Sequence, residues 1–239
     1  MEPFSTEWFM DLHTRLLLHF GDPEWWPGDT PFEVAVGAVL TQNTAWSNVE
    51  RAMANLKADG CLHPRGLVDV EEETLRAAIR PAGYFNQKSR YLRELSIFIH
   101  SELKGDVLSL ARMPLKEARE KLLSLRGIGP ETADSILCYG AGLPVFVVDA
   151  YTRRLFSRLA PGPFGEMIGS GPKAYDSMQG LVAGRVRGDA DLYNRLHALI
   201  VLLGKDICRS RPLCIACPLA EVCVHGKGGA SHGPRKNEK

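Results

Sequence analysis

The sequence has no long hydrophobic run. Its longest unbroken apolar stretches, such as Val34–Leu40, fall far short of the ~18 residues that a membrane span needs, so no membrane partner is expected. The first residues include Glu2, Glu7 and Asp11 and lack a basic start leading into an apolar stretch. No secretory signal is therefore expected, and the location implied is cytoplasmic, with the nucleoid if the source is bacterial. Few β-branched runs alternate with polar residues, which argues against a sheet. There is no internal repeat. There is also no excess of one charge: the net is +1, so gross charge points to no partner.

What is present is ordinary in bulk and uneven in detail. The 239 residues are 45% hydrophobic and 24% charged, which excludes a mostly disordered chain and allows one large domain or two modest ones. Residues 1–149 hold 15 Lys and Arg against 21 Asp and Glu, whereas residues 150–239 hold 14 against 7. That asymmetry hints at a surface facing a polyanion. The stretch Thr74–Arg93 adds five basic residues and no acidic one.

The apolar periodicity is helical nearly throughout. Trp8, Leu12, Leu16 and Phe20 recur at steps of four. Pro31–Leu40 reads as a buried helix and Trp46–Lys57 as an amphipathic one. The same spacing runs through 71–80, 87–102 and 115–125, and Leu192–Lys205 reads as a last long helix. Pro144–Val148 is the best strand candidate. The expected product is an all-α protein of about ten short helices. From Gly226 on, Gly, Ser, Lys, Asn and His without an apolar anchor predict a disordered tail, 226–239.

Three local patterns bear chemistry. In the first, two helical segments within 115–141 are separated by Gly127-Ile128-Gly129, and Pro130 stands at a first helical position. Such a turn is either a packed corner or a phosphate site, where glycines allow close approach and helix-start amides face outward. In the second, Asp149 follows the apolar Val145–Val148 and precedes a helical stretch, so it reads as an N-cap. In the third, Cys208, Cys214, Cys217 and Cys223 fall in the order Cys-x5-Cys-x2-Cys-x5-Cys. With no secretory signal this is a metal site rather than a disulfide set, and spacing alone leaves zinc and iron–sulfur open. Cys61 and Cys138 read as buried fillers.

Leu125-Arg126-Gly127-Ile128-Gly129-Pro130-Glu131-Thr132-Ala133, followed by Val148-Asp149 with Arg153 and Arg154, resembles the helix-hairpin-helix DNA glycosylase superfamily, whose members include endonuclease III. Trp25-Trp26-Pro27, Leu40–Thr44, Arg80–Lys88 and Gly127–Tyr139 are similar to its 3-methyladenine DNA glycosylase III branch, and these blocks span most of the chain. The resemblance implies a two-lobed all-α fold. Residues 1–30 with 144–205 would form one lobe and 31–143 a six-helix bundle carrying the hairpin at 115–141. A cluster loop would follow at 206–225.

The same resemblance implies roles. Asp149 would be the catalytic carboxylate, stabilising the charge that builds on the sugar and orienting water. Trp25, Trp26, Trp46 and Lys205 would line the pocket for a flipped base, and Gln42 would enter the gap the base leaves. Gly127, Ile128, Gly129 and Thr132 would contact a DNA phosphate. The four cysteines would hold a [4Fe–4S] cluster in preference to zinc, as in many members of the superfamily, although those typically have six residues in the first gap and this chain five. Arg209 and Arg211 on that loop would face phosphates. Endonuclease III-type members carry a nucleophilic lysine where this chain has Glu131. A carboxylate forms no Schiff base, so the departure argues for a monofunctional enzyme and against a bifunctional glycosylase/lyase of oxidised pyrimidines. The partner expected is double-stranded DNA with a damaged base, chiefly N3-methyladenine, met by a monomer. A cluster-bearing DNA-binding module without catalysis is the remaining alternative, and the presence of Asp149 argues against it.

Overall fold

The computed structural model describes residues 1–23, 25–168 and 172–229. Among the described residues there is no strand, and the α-helices number thirteen rather than ten. They are α1 (Thr6–Phe20), α2 (Pro31–Leu40), α3 (Trp46–Ala58), α4 (Pro64–Asp69), α5 (Glu72–Ile79), α6 (Phe85–Glu102), α7 (Leu115–Leu123), α8 (Pro130–Ser135), α9 (Ala150–Leu159), α10 (Pro161–Ile168), α11 (Pro172–Arg185), α12 (Ala190–Asp206) and α13 (Val224–Gly229). The expected strand at 144–148 is a segment without regular secondary structure, buried from Val145 to Val148, that leads through Asp149 into α9. No helix among the described residues is long and apolar enough to cross a membrane.

Contacts divide the chain into two compact units. One comprises Met1–Trp25 and the chain from Phe146 on, and the other Trp26–Val145. The second unit is built on α2, nine of whose ten residues are buried. Its start is set by Thr30, whose hydroxyl accepts from Glu33 N at 3.1 Å, and by Pro31 in the first turn. There the missing proline donor costs nothing. Seven α-helices belong to this unit. The addition to the expected six is α4, a six-residue helix capped by the ring of His63, which accepts from Gly66 N.

The first unit packs α9 and α1 against α12. The buried side chains of α1 are Phe9, Leu12, His13 and Leu16, while Trp8 and Phe20 stay half-buried. Steps of four overshoot the 3.6-residue turn by about 40° each, so the true apolar face drifts away from the Trp8–Phe20 row. Helix α13 also falls where the tail was expected. Gly226 N donates to Cys223 Sγ, Lys227 N donates to Cys223 O, and the helix packs on α9. Residues 230–239 lie outside the described residues.

The basic strip at 74–93 does not form a charged surface. Lys88 is buried. The Arg93 guanidinium donates to Val68 O and Val70 O, and Arg76 pairs with Glu72 and Glu73 just before the strip. Only Arg80 and Arg90 of the five remain exposed, because cations on a helix are first claimed by nearby carbonyls and carboxylates.

Candidate active site and nucleic-acid interface

The hairpin is defined by one glycine more than by the other. Gly127 has φ +79°, and a Cβ there would stand 2.3 Å from the Tyr91 ring, so no other residue fits. Gly129 has φ −91°, and a Cβ there would meet nothing within 4 Å. Its bareness keeps the backbone open at the start of α8, where helix-start amides lack intrahelical partners. Ile128 is different: it is buried, and its N–H is used inside the turn by Leu125 O at 3.2 Å. It anchors the turn rather than presenting an amide.

Gln42 lies at the hairpin. Its side-chain amide donates to Gly127 O at 3.0 Å and to Thr132 Oγ1 at 2.9 Å. A cleft of about 350 Å³ opens here, lined by Gln42, Asn43, Gly129, Glu131, Thr132 and Ser135. Lys88 stabilises the base of the Gln42 loop. Its ammonium donates to Leu40 O at 2.8 Å and to Ala82 O at 2.9 Å, and burial lowers its pKa to about 8. A polar residue in a motif otherwise read as surface gave no hint of this inward role.

Trp26 stacks on Tyr139 with ring centroids 5.3 Å apart, and Trp46 stands edge-on to Trp26 at 5.1 Å. Gly37 makes the room, since a Cβ there would sit 3.1 Å from Trp26 Nε1. Tyr139 was not among the expected pocket residues. It lies in a π-helical turn, Ile136–Gly140, that continues α8. The wider turn changes the direction in which following side chains point, which the 3.6-residue period cannot show. Trp25 belongs to the other unit, where its carbonyl accepts from Asn194 Nδ2 at 2.7 Å. Lys205 is exposed in the last turn of α12.

Asp149 caps α9: its Oδ1 accepts from Thr152 N at 2.7 Å. Its Oδ2 faces His197 Nε2 of α12 at 3.6 Å, and both residues are buried. Burial alone would push the carboxyl up, but the nearby His197 ring and the Thr152 N–H outweigh it and hold the acid below its ordinary value. Asp149 is thus a buried carboxylate biased toward its ionised form.

The four loop cysteines line one cavity together with Leu155, Leu159, Ile207 and Leu219. Arg158 braces the loop by donating to the carbonyls of Cys208, Arg209 and Ser210 and to Cys208 Sγ at 3.2 Å. Arg154 does the same to Gly204 O and Cys208 O, both at 2.8 Å. Arg209 and Arg211 are exposed. Among the described residues no three Cys, His, Asp or Glu side chains are arranged around a single-ion position.

Comparison with known proteins gives the class, a DNA repair protein, and then the family. The chain matches the HhH-GPD superfamily base excision DNA repair protein family over residues 36–162. It is 41% identical over 226 residues to a provisionally named DNA repair glycosylase of Methanocaldococcus jannaschii, spanning 94% of this chain and 99% of that one. It is similar to the structure of the H. pylori 3-methyladenine DNA glycosylase bound to 1,N6-ethenoadenine, with 30% identity, a TM-score of 0.68, and 85% and 98% of the two chains covered. An endonuclease III–DNA complex shares the fold, with a TM-score of 0.77 at 20% identity over 95% and 99% of the chains. The chain belongs to the HhH-GPD superfamily, whose members are base excision repair glycosylases acting on N-glycosyl bonds of DNA.

Proposed function

We propose that this protein is a monofunctional DNA glycosylase that hydrolyses the N-glycosidic bond of alkylated purines, chiefly N3-methyladenine, in double-stranded DNA. The observation that carries the reading is a buried Asp149, held below its ordinary pKa, in a chain with Glu131 where a lysine nucleophile would stand. Departure of the base leaves positive charge on the sugar. A fixed carboxylate stabilises that charge and orients water toward it. Without an amine at position 131 no Schiff base forms there, and the strand stays intact.

N3-methyladenine is itself cationic, so it leaves with little acid assistance. Electron-rich ring faces such as those of Trp26, Trp46 and Tyr139 favour a cationic, electron-poor ring over a neutral base. Trp25 and Lys205 are further candidates for contact with the base, on the pattern of the glycosylase branch. The resemblance to an enzyme solved with a modified purine supports the substrate class. The amides around Gly129 and Thr132 hold a phosphate, Gln42 occupies the gap left by the flipped nucleotide, and Arg209 and Arg211 add salt-dependent phosphate contacts. The enzyme acts as a monomer, where its DNA is.

Cys208, Cys214, Cys217 and Cys223 fit a [4Fe–4S] cluster. The four thiols line one apolar-walled cavity, as the four thiolates of a cubane, one per iron, require. When bound, the cluster supplies metal–thiolate bonds that fold the loop.

The test is single-turnover incubation with methylated duplex DNA, scoring free base, strand breaks before and after alkali, and borohydride-trapped adducts. N3-methyladenine should be released with breaks only after alkali. Breaks without alkali, or a trapped adduct, would overturn the monofunctional mechanism. No base release would overturn the enzyme reading. A folded preparation without iron and acid-labile sulfide would overturn the cluster.

A further inference from the structure

We propose that His197 is a positioning residue for Asp149, orienting its outer oxygen and balancing its charge for the base-release step. This rests on the reading of Asp149 as the reacting carboxylate. The two oxygens of Asp149 have different partners. Oδ1 is spent on the helix cap to Thr152 N, at 2.7 Å. Oδ2 has His197 Nε2 at 3.6 Å, beyond a made hydrogen bond but within reach of one if either ring or carboxylate shifts by a few tenths of an ångström. The unspent oxygen is the one free to face a developing cation, so whatever holds its direction sets the reaction geometry.

The frame that holds the two residues is rigid. A Cβ on Gly204 of α12 would stand 2.5 Å from the Tyr151 ring of α9, so the helices touch backbone to ring. One turn further along α9, Arg154 bonds to Gly204 O and Cys208 O. At the other end, Phe146 lies edge-on to the His197 ring at 6.2 Å, and the Phe146 carbonyl accepts from Gln179 Nε2 at 3.0 Å. The imidazole is therefore walled on one side by an aromatic edge and faces the carboxylate on another.

The charged residues of α9 are Arg153, Arg154 and Arg158; Arg154 and Arg158 donate to carbonyls of Gly204 and the cysteine loop. On α1 the buried titratable group is His13, whose charged neighbours are Arg195 and Asp22. Asp149, the N-cap of α9, meets the His197 ring at 3.6 Å. A histidine suits the role better than arginine or lysine. It holds the carboxylate in its ionised form when protonated, yet it remains a weak partner that does not cancel the charge the sugar needs.

The test uses the full-length protein, with aspartate carboxyl carbons labelled and the Asp149 resonance assigned by its loss in Asp149→Asn. In His197→Gln the Asp149 titration midpoint should rise by about one pH unit or more. Base release near neutral pH should change little, and the acid limb of the pH–rate profile should move up by the same amount, one unit of pKa being about tenfold in ionised fraction at pH values below both midpoints. His197→Phe, which fills the space without a donor, should show the larger shift, and its melting curve reports whether it folds. An Asp149 midpoint unchanged in either folded variant would overturn the proposal. The titration needs no turnover. A moved midpoint in a protein that releases no base would therefore uphold the His197–Asp149 coupling while sinking the glycosylase reading.

Discussion

Two aspartates in this molecule are buried, and their surroundings differ. Asp134 in α8 has no exposed surface, and both its oxygens are clasped by the Arg119 guanidinium at 2.8 and 3.1 Å. Asp149 is nearly as buried, but one oxygen serves a helix cap and the other faces a histidine at 3.6 Å. A planar, permanently charged fork compensates a carboxylate in full. An amide and a titratable ring keep it ionised without saturating it. Burial of an acid therefore marks no role by itself; the role follows from how completely its partners satisfy it.

Breaking each site separately sharpens that contrast. The largest effect is expected at Asp149. Asp149→Asn should lower base release by about 10²–10⁴-fold while shifting the melting temperature little, since asparagine also caps helices. Single-turnover assays with melting curves check this, and a large loss of stability with little loss of rate would reverse the assignment. Asp134→Ala should do the opposite. It strands the Arg119 charge and should cost about 3 kcal/mol of unfolding free energy, the low end for a buried pair, because the Arg119 side chain keeps 21% of its exposure. Urea titration measures that cost, and base release per folded molecule should stay unchanged.

Lys88 supplies a third case, a buried charge held only by two carbonyls. Its folded pKa of about 8 lies below the unfolded value near 10.5. Below pH 8 both states carry the proton, and the cost of burying the charge is borne in full. Between the two values the unfolded chain holds more protons, so stability rises with pH, and above the upper value the cost is gone. Relative to Lys88→Met, the wild type should gain roughly 3 kcal/mol across that window. A flat difference would mean the ammonium is compensated after all. The smallest effect is expected at a neutral pair of bonds. Gln42→Ala removes the donor to Gly127 O and Thr132 Oγ1 and should cost about 1–2 kcal/mol, read by urea titration.

Much of the fold is legible residue by residue. Helices α2, α3, α5, α6 and α12 follow the apolar period closely, since a stripe that must be buried forces one backbone geometry. The period failed where helices are too short to show it, as in α4 and α13, and it misplaced the buried face of α1. It missed the π-helical turn that carries Tyr139. The Gly127 turn and the Asp149 cap were visible because both depend on residues a few positions apart. His197 was invisible, because it stands 48 positions from Asp149 and nothing local distinguishes it from any other core histidine. Arg154 and Arg158 carried no sign of bracing the cysteine loop, and the basic strip at 74–93 looked like a surface only because its carbonyl partners could not be read.

The sequence by itself determined the all-helical class, the hairpin glycine, the capping aspartate, the absence of an amine at position 131 and the four thiols. Each is a matter of residue type or short-range spacing, which backbone sterics and local hydrogen bonding translate directly into geometry. Tertiary structure alone decided which buried acid is clasped by an arginine and which faces a histidine, which cations are consumed inside, and which aromatic rings meet Trp26. Those outcomes depend on distances between residues far apart in the chain, and packing of whole helices sets such distances.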